Sequence, residues 1–208
     1  MKKTLLIALA ATLPFSAIAD HDHTVIDGLD FGPLAQLVGH WESNASGGVD
    51  ISPAQTGTPQ GEGAPAITPF YEKMTFEVAA DAVNASEQTL VALYYKQEVF
   101  RKIDDTKFHD QRGYLIYDRD NQIVYNSFCV PRATCITAEG VAGADMNFKV
   151  SQRGIAESNF MLNNATTTDF SMNLKVEGDT LIYSQNTALN IYGKAFAHTD
   201  TSTLKRVK

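Results

Sequence analysis

The stretch FYEKMTFEV, Phe70 to Val78, decides the fold: Phe70, Met74, Phe76 and Val78 alternate with Tyr71, Lys73, Thr75 and Glu77. A period of two is the mark of a strand with one face in a core, because successive side chains point to opposite faces. The pattern returns downstream in TLVALYYKQEVFRK, FHDQRGYLIYD, QIVYNSFCV, ATCITAEG, MNFKVSQ, TTTDFSMNLKVEG, DTLIYSQNTAL and STLKRV. The breaks between them, DRDN, VPR, GVAGAD and VEGD, are built from turn residues. Successive strands joined by short turns, with scarcely any helix, predict an all-β fold: an antiparallel up-and-down β-barrel of about ten strands. A closed barrel of that size has an interior wide enough for one small ligand, the alternative being a packed barrel with no cavity.

Upstream of Phe70 the periodicity stops. Asn44 to Pro69 is rich in Gly, Ala, Pro, Ser and Thr and reads as a long loop, 44–69. Before it, LDFGPLAQLVGHW carries Leu34, Leu37, Val38 and Trp41 at near-helical spacing, which predicts a short N-terminal helix ending at Gly39 and plugging one end of the barrel. The chain thus divides into a leader-like segment 1–19, a polar N-terminal tail 20–33, and one β-barrel domain 34–208.

The leader reading rests on MKKTLLIALAATLPFSAIA: two lysines, an apolar run and the small-residue site Ala17-Ile18-Ala19. This is the pattern of a secretory signal peptide, and an uncleaved anchor is its alternative. Cleavage would leave Asp20 first and, by removing Lys2 and Lys3, take the net charge from −7 to −9. So acidic a chain repels phosphate backbones and anionic lipid, so nucleic acid is not an expected partner, nor is a membrane after cleavage. The expected location is the periplasm. In an oxidising compartment Cys129 and Cys135 are expected to form a disulfide across the VPRAT turn, two free thiols being the alternative.

The sequence contains no Gly-rich phosphate loop, H-E-x-x-H, G-x-S-x-G or C-x-x-C. Of the five histidines, His21 and His23 lie in the tail, leaving His40, His109 and His198.

The run LVGHW, the strand pair YYKQEVFRK and FHDQRGYLIYD, the hairpin SFCVPRATCITAEG, the strand LKVEGDTLIYSQNTA and the ending HTDTSTLKRV together resemble the nitrobindin-type heme-binding β-barrel family, in order from Leu34 to Val207. The resemblance implies a ten-stranded barrel holding ferric heme b, with His198 as the axial iron ligand and His109 lining the cavity. It also implies binding of nitric oxide and isomerisation of peroxynitrite to nitrate, binding being the better supported. Two departures bear on the site. The family's Gly-x-Trp-x-Gly-x-Gly signature is kept only as Gly39-His40-Trp41, so a rebuilt cavity rim near Trp41 is expected. Counting back from Leu204-Lys205-Arg206 places Thr199 at the ligand position, so either β-structure near His198 carries a bulge or iron ligation is lost.

A heme-holding site needs a neutral imidazole and a dry pocket. Asp200, two residues along from His198, is positioned to orient the imidazole, and Phe128, Met172, Leu189 and Phe196 are the expected walls of the porphyrin. The rival readings are a metal-free carrier of a fatty acid or other small apolar ligand, and a structural or protein-binding envelope component.

Overall fold

The computed structural model describes residues 24–208; the leader-like segment 1–19 and Asp20 to His23 of the tail lie outside the described residues. The chain begins with a small hairpin, β1 (Val25–Ile26) and β2 (Leu29–Asp30), followed by a 3-10 helix, Gly32–Leu37. Ten long strands follow: β3 (Gly39–Pro53), β4 (Pro65–Asn84), β5 (Gln88–Arg101), β6 (Lys107–Asp118), β7 (Ile123–Val130), β8 (Thr134–Val141), β9 (Asp145–Glu157), β10 (Ala165–Glu177), β11 (Thr180–Ile191) and β12 (Lys194–Arg206). One short helix, α1 (Asn159–Asn164), joins β9 to β10. Each strand pairs antiparallel with the next, and β12 pairs with β3, closing the ten-stranded up-and-down barrel. Closure leaves no long edge exposed for pairing with another chain.

The segment read as a loop, 44–69, is mostly strand. Residues up to Pro53 belong to β3 and those from Pro65 to β4, with Gly48 to Pro53 paired against Pro65 to Phe70; only Ala54 to Ala64 form the connection. Small and turn-forming residues tolerate a strand where neighbouring ladders supply the hydrogen bonds, so composition misleads there. The tail is also more ordered than expected: Thr24 to Asp30 include the small hairpin, and Phe31 is fully buried.

The expected plug is a 3-10 helix that stops at Leu37, with Val38 as its C-cap. Leu34, Leu37 and Trp41 are fully buried, each leucine contributing about 2 kcal/mol by its removal from water. The Trp41 indole Nε1–H donates to the Leu37 carbonyl at 2.7 Å. Arg206 stacks over the Trp41 ring with its guanidinium carbon 4.2 Å from the centroid, and donates to the Val38 carbonyl at 2.8 Å. Trp41 therefore belongs to the closed end of the barrel and forms no part of a cavity rim.

The turns at the other end, between β3 and β4, β5 and β6, β7 and β8, and β11 and β12, together with α1, surround an open mouth. Among the described residues no helix is long and apolar enough to cross a membrane.

Candidate functional site

Behind the mouth lies a cavity of about 430 Å3. Strand alternation gives it two unlike walls. The arc from β7 through α1 to β11 contributes Phe128, Val130, Ile136, Met161, Leu189 and Ile191. The opposite arc, β12 and β3 to β6, contributes Asp50, Arg101, His109, Gln111, His198 and Asp200. The first arc is thus mainly apolar but also presents Thr134, Thr167, Gln185, Thr187 and, at the β7–β8 turn, Arg132, while the histidines and carboxylates lie on the second.

His198 reaches the cavity without a bulge in its own strand. From Thr180 to Ile191, β11 pairs with β12 in unbroken register, so Phe196, His198, Asp200, Ser202 and Leu204 share the inner face, and Thr199 turns outward. The irregularity lies instead in β3, where Glu42 and Gly48 are six residues apart but their partners Lys73 and Phe70 only three. This insertion changes the inward phase of β3 from the odd position Trp41 to the even position Asp50. Its tight turn needs glycine: at Gly47 the backbone is left-handed, with φ +67°, and a Cβ would lie 2.2 Å from the Phe70 carbonyl oxygen. The insertion after Trp41 is thus what turns the Asp50 carboxylate toward the histidine.

Asp50 is 4 % exposed, and its Oδ1 lies 2.6 Å from His198 Nε2. Ser52 donates its hydroxyl to the other carboxylate oxygen at 2.8 Å. Asp200 is farther away, its Oδ2 standing 3.6 Å from the same nitrogen. The closer partner of His198 is therefore Asp50. Burial works against a charge on His198, but Asp200 and Asp50 outweigh it and raise the imidazole to about 9. Burial likewise works to raise Asp50, yet the hydrogen bond and charge of His198 leave it below the usual carboxylate value.

His109 has the opposite character. It sits on the inner face of β6 next to a register shift, and its burial lowers its pKa, opposed by Asp200 and assisted by the Arg132 charge. The beta-strand neighbour Gln111 donates Nε2–H to the Tyr95 hydroxyl, while its Oε1 is buried on the cavity wall with no hydrogen-bond partner.

Below the cavity a chamber of about 20 Å3, the size of a single water, is lined by Gln97, Tyr183 and Gln185 together with the histidines and aspartates. Under it lies Glu72, fully buried, accepting from Gln97 Nε2 at 2.6 Å and from the Tyr183 hydroxyl at 3.2 Å. Its Oε1 has no partner. Burial, opposed by Ser202, Gln97 and Tyr183, raises its carboxyl to about 7.

Of the residues expected to form the site, His109, His198, Phe128, Leu189 and Asp200 line the cavity. Met172 does not: it packs in the core, where its sulfur lies 3.6 Å from Asn126 Nδ2. Phe196 shares the inner register but lies nearer the open end than His198 and is not a lining side chain. His40 is exposed on the outside, hydrogen-bonded to Thr75 Oγ1 at 3.1 Å. Cys129 and Cys135 are directly opposite in the β7–β8 ladder, with Cα atoms 4.0 Å apart, and are joined by a disulfide.

Asp50 and Glu72, with the cavity-lining Arg101, Gln111 and Arg132, are site residues that sequence reading did not single out. Glu72 had a signal, since it falls on the same phase as Phe70, Met74 and Phe76 in the opening strand. Asp50 had none, because its inward phase depends on the insertion in β3.

Comparison with curated proteins gave no significant match. The crystal structure of Rv2717c from M. tuberculosis has a similar fold, with a TM-score of 0.57 and 18 % sequence identity over 84 % of this chain and 95 % of that one. The family model described as THAP4-like, heme-binding beta-barrel domain matches residues 30–206, spanning the helical plug, the whole barrel and the cavity. The chain therefore belongs to the THAP4-like heme-binding β-barrel family, and heme is the cofactor that this membership supports.

Proposed function

We propose that the protein holds ferric heme b in the open half of the barrel, with His198 as its iron ligand. The observation that carries the reading is the state of that imidazole: Nε2 is held by Asp50, and Nδ1 has no hydrogen-bond partner among the described residues. An imidazole that donates one ring N–H to a carboxylate presents its other nitrogen as a more basic, oriented ligand. The donor set and the apolar arc fit a porphyrin. Phe128, Leu189 and their neighbours exclude water, Asp50 accepts the Nε2–H hydrogen bond and so orients the ring, and Asp200 maintains the negative field around it. Loss of the Nδ1 proton is required before that nitrogen can bind metal.

When bound, heme supplies a metal centre able to take a small ligand such as nitric oxide or peroxynitrite. His109, neutral because it is desolvated, offers a polar contact to such a ligand without adding charge. Binding of nitric oxide, and isomerisation of peroxynitrite, are the activities proposed. The proposed location is the periplasm; the leader-like sequence and the paired cysteines support export.

Hemin titration followed by absorption tests the reading. The wild type is expected to give a saturable Soret band at micromolar hemin, and His198→Ala to lose most of the affinity with the fold intact by circular dichroism. His109→Ala is expected to retain hemin while changing the rate of nitric oxide association. Equal hemin affinity in wild type and His198→Ala would remove His198 as the ligand.

A further inference from the structure

We propose that the mouth of the cavity is a carboxylate-binding rim made by Arg101 and Arg132, and that the Cys129–Cys135 disulfide holds Arg132 in it. The ligand class is an apolar molecule carrying carboxylates at one end. The inference rests on the heme-binding reading for the identity of the apolar body, and on the rim residues alone for the carboxylates.

Both arginines line the large cavity, and Arg132 reaches the inner chamber as well. Arg101 ends β5 on the inward phase of Leu93, Tyr95, Gln97 and Val99, and its guanidinium stands 4.6 Å from the centroid of the Phe108 ring, a contact that fixes it at the mouth. Among the described residues neither guanidinium forms an ion pair. In a chain of net charge −7, two unpaired cations converging on one opening are an anion-recognition feature, because guanidinium matches carboxylate geometry in a two-point fork. The carboxylates already at the site, Asp50 and Asp200, are occupied with His198 on the cavity's inner wall. The arginines, and not this histidine–aspartate cluster, are therefore where the acid groups of a ligand are drawn.

Arg132 is placed by a three-residue turn, Pro131 to Ala133, whose last residue has a positive φ of 57°. The disulfide closes the ladder immediately around that turn on the outer face of β7 and β8. Cross-linking both strands there restricts the directions the turn can take, and with them the position of the guanidinium. Reduction would leave the barrel closed but allow the turn to move away.

The experiment compares acids with their methyl esters. Hemin and metal-free protoporphyrin IX, each as the diacid and the dimethyl ester, are titrated into oxidised R101A/R132A and R101K/R132K, and into wild type and R132A each in the oxidised and the dithiothreitol-reduced form. In oxidised wild type the diacids are expected to bind about tenfold or more tightly than the esters, the scale of a charge-assisted hydrogen bond. R101A/R132A should bind acid and ester equally, and the lysine variant should restore part of the preference. Reduction should weaken diacid binding toward the level of R132A and leave R132A itself unchanged.

No acid preference in wild type, or a full preference in R101A/R132A, overturns the rim. Diacid affinity unmoved by reduction overturns the disulfide's part in it. If no porphyrin binds, the heme reading fails and palmitate against methyl palmitate decides the rim: a preference for palmitate that R101A/R132A abolishes sustains it with a fatty acid as ligand, and none ends it.

Discussion

His198 carries a proton because two carboxylates face it, and Asp50 is the nearer at 2.6 Å. With a folded pKa of about 9, above the ordinary value of 6.5, the imidazole stabilises the fold fully below pH 6.5. That contribution is lost as pH rises through 9. Asp50→Asn preserves shape and a hydrogen-bonding group while removing the charge. Its expected effect is to move the His198 midpoint down by about one unit or more, toward the unperturbed value, as read from imidazole proton resonances in a pH titration. An unmoved midpoint would assign the charge to Asp200 alone. Neither outcome could be inferred from residue order: the two groups are separated by 148 positions, and Asp50 faces inward only through an insertion in a neighbouring strand.

At the scale of elements, β5, β7 and β11 were legible because their inward and outward faces alternate through the strand. β3 and the start of β4 were not, since Gly47, Gly48, Pro53 and Pro65 signal turns while the ladder makes strand of them. Glycine elsewhere in the barrel serves a different purpose. Gly113 in β6 pairs with Phe128 in β7, and a Cβ there would lie 2.3 Å from the Ser127 carbonyl oxygen and 2.6 Å from the Phe128 Cβ. The backbone or the cavity-wall phenylalanine must then shift. Gly113→Ala is expected to destabilise the barrel by about 1 to 3 kcal/mol, as overpacking does, and to weaken hemin binding by moving Phe128. Thermal unfolding and hemin titration of the variant check both; an unchanged melting temperature would show that the β6–β7 ladder yields without cost.

For the whole molecule, the notable expense is a barrel floor built around an ionisable group. Glu72 is fully buried and has one oxygen without a partner, an arrangement suited to the protonated acid rather than the carboxylate. Its carboxyl titrates near 7 in the fold against an ordinary 4.5, so between those values the folded state holds a proton that the unfolded chain has released. Stability contributed by this group is therefore greatest below pH 4.5, falls as pH rises, and levels off above 7, a loss of roughly 3 kcal/mol at 1.36 kcal/mol for each unit. Glu72→Gln keeps the size and an acceptor for Gln97 and Tyr183 but cannot ionise. Urea unfolding of both proteins at several pH values isolates the effect, because His198 and every other group common to the two cancel in the difference. The variant is expected to gain on the wild type by roughly 3 kcal/mol between pH 4.5 and 8. A difference that stays constant over that range would mean that Glu72 ionises in the fold as readily as in the unfolded chain, and that the network under the cavity solvates a carboxylate.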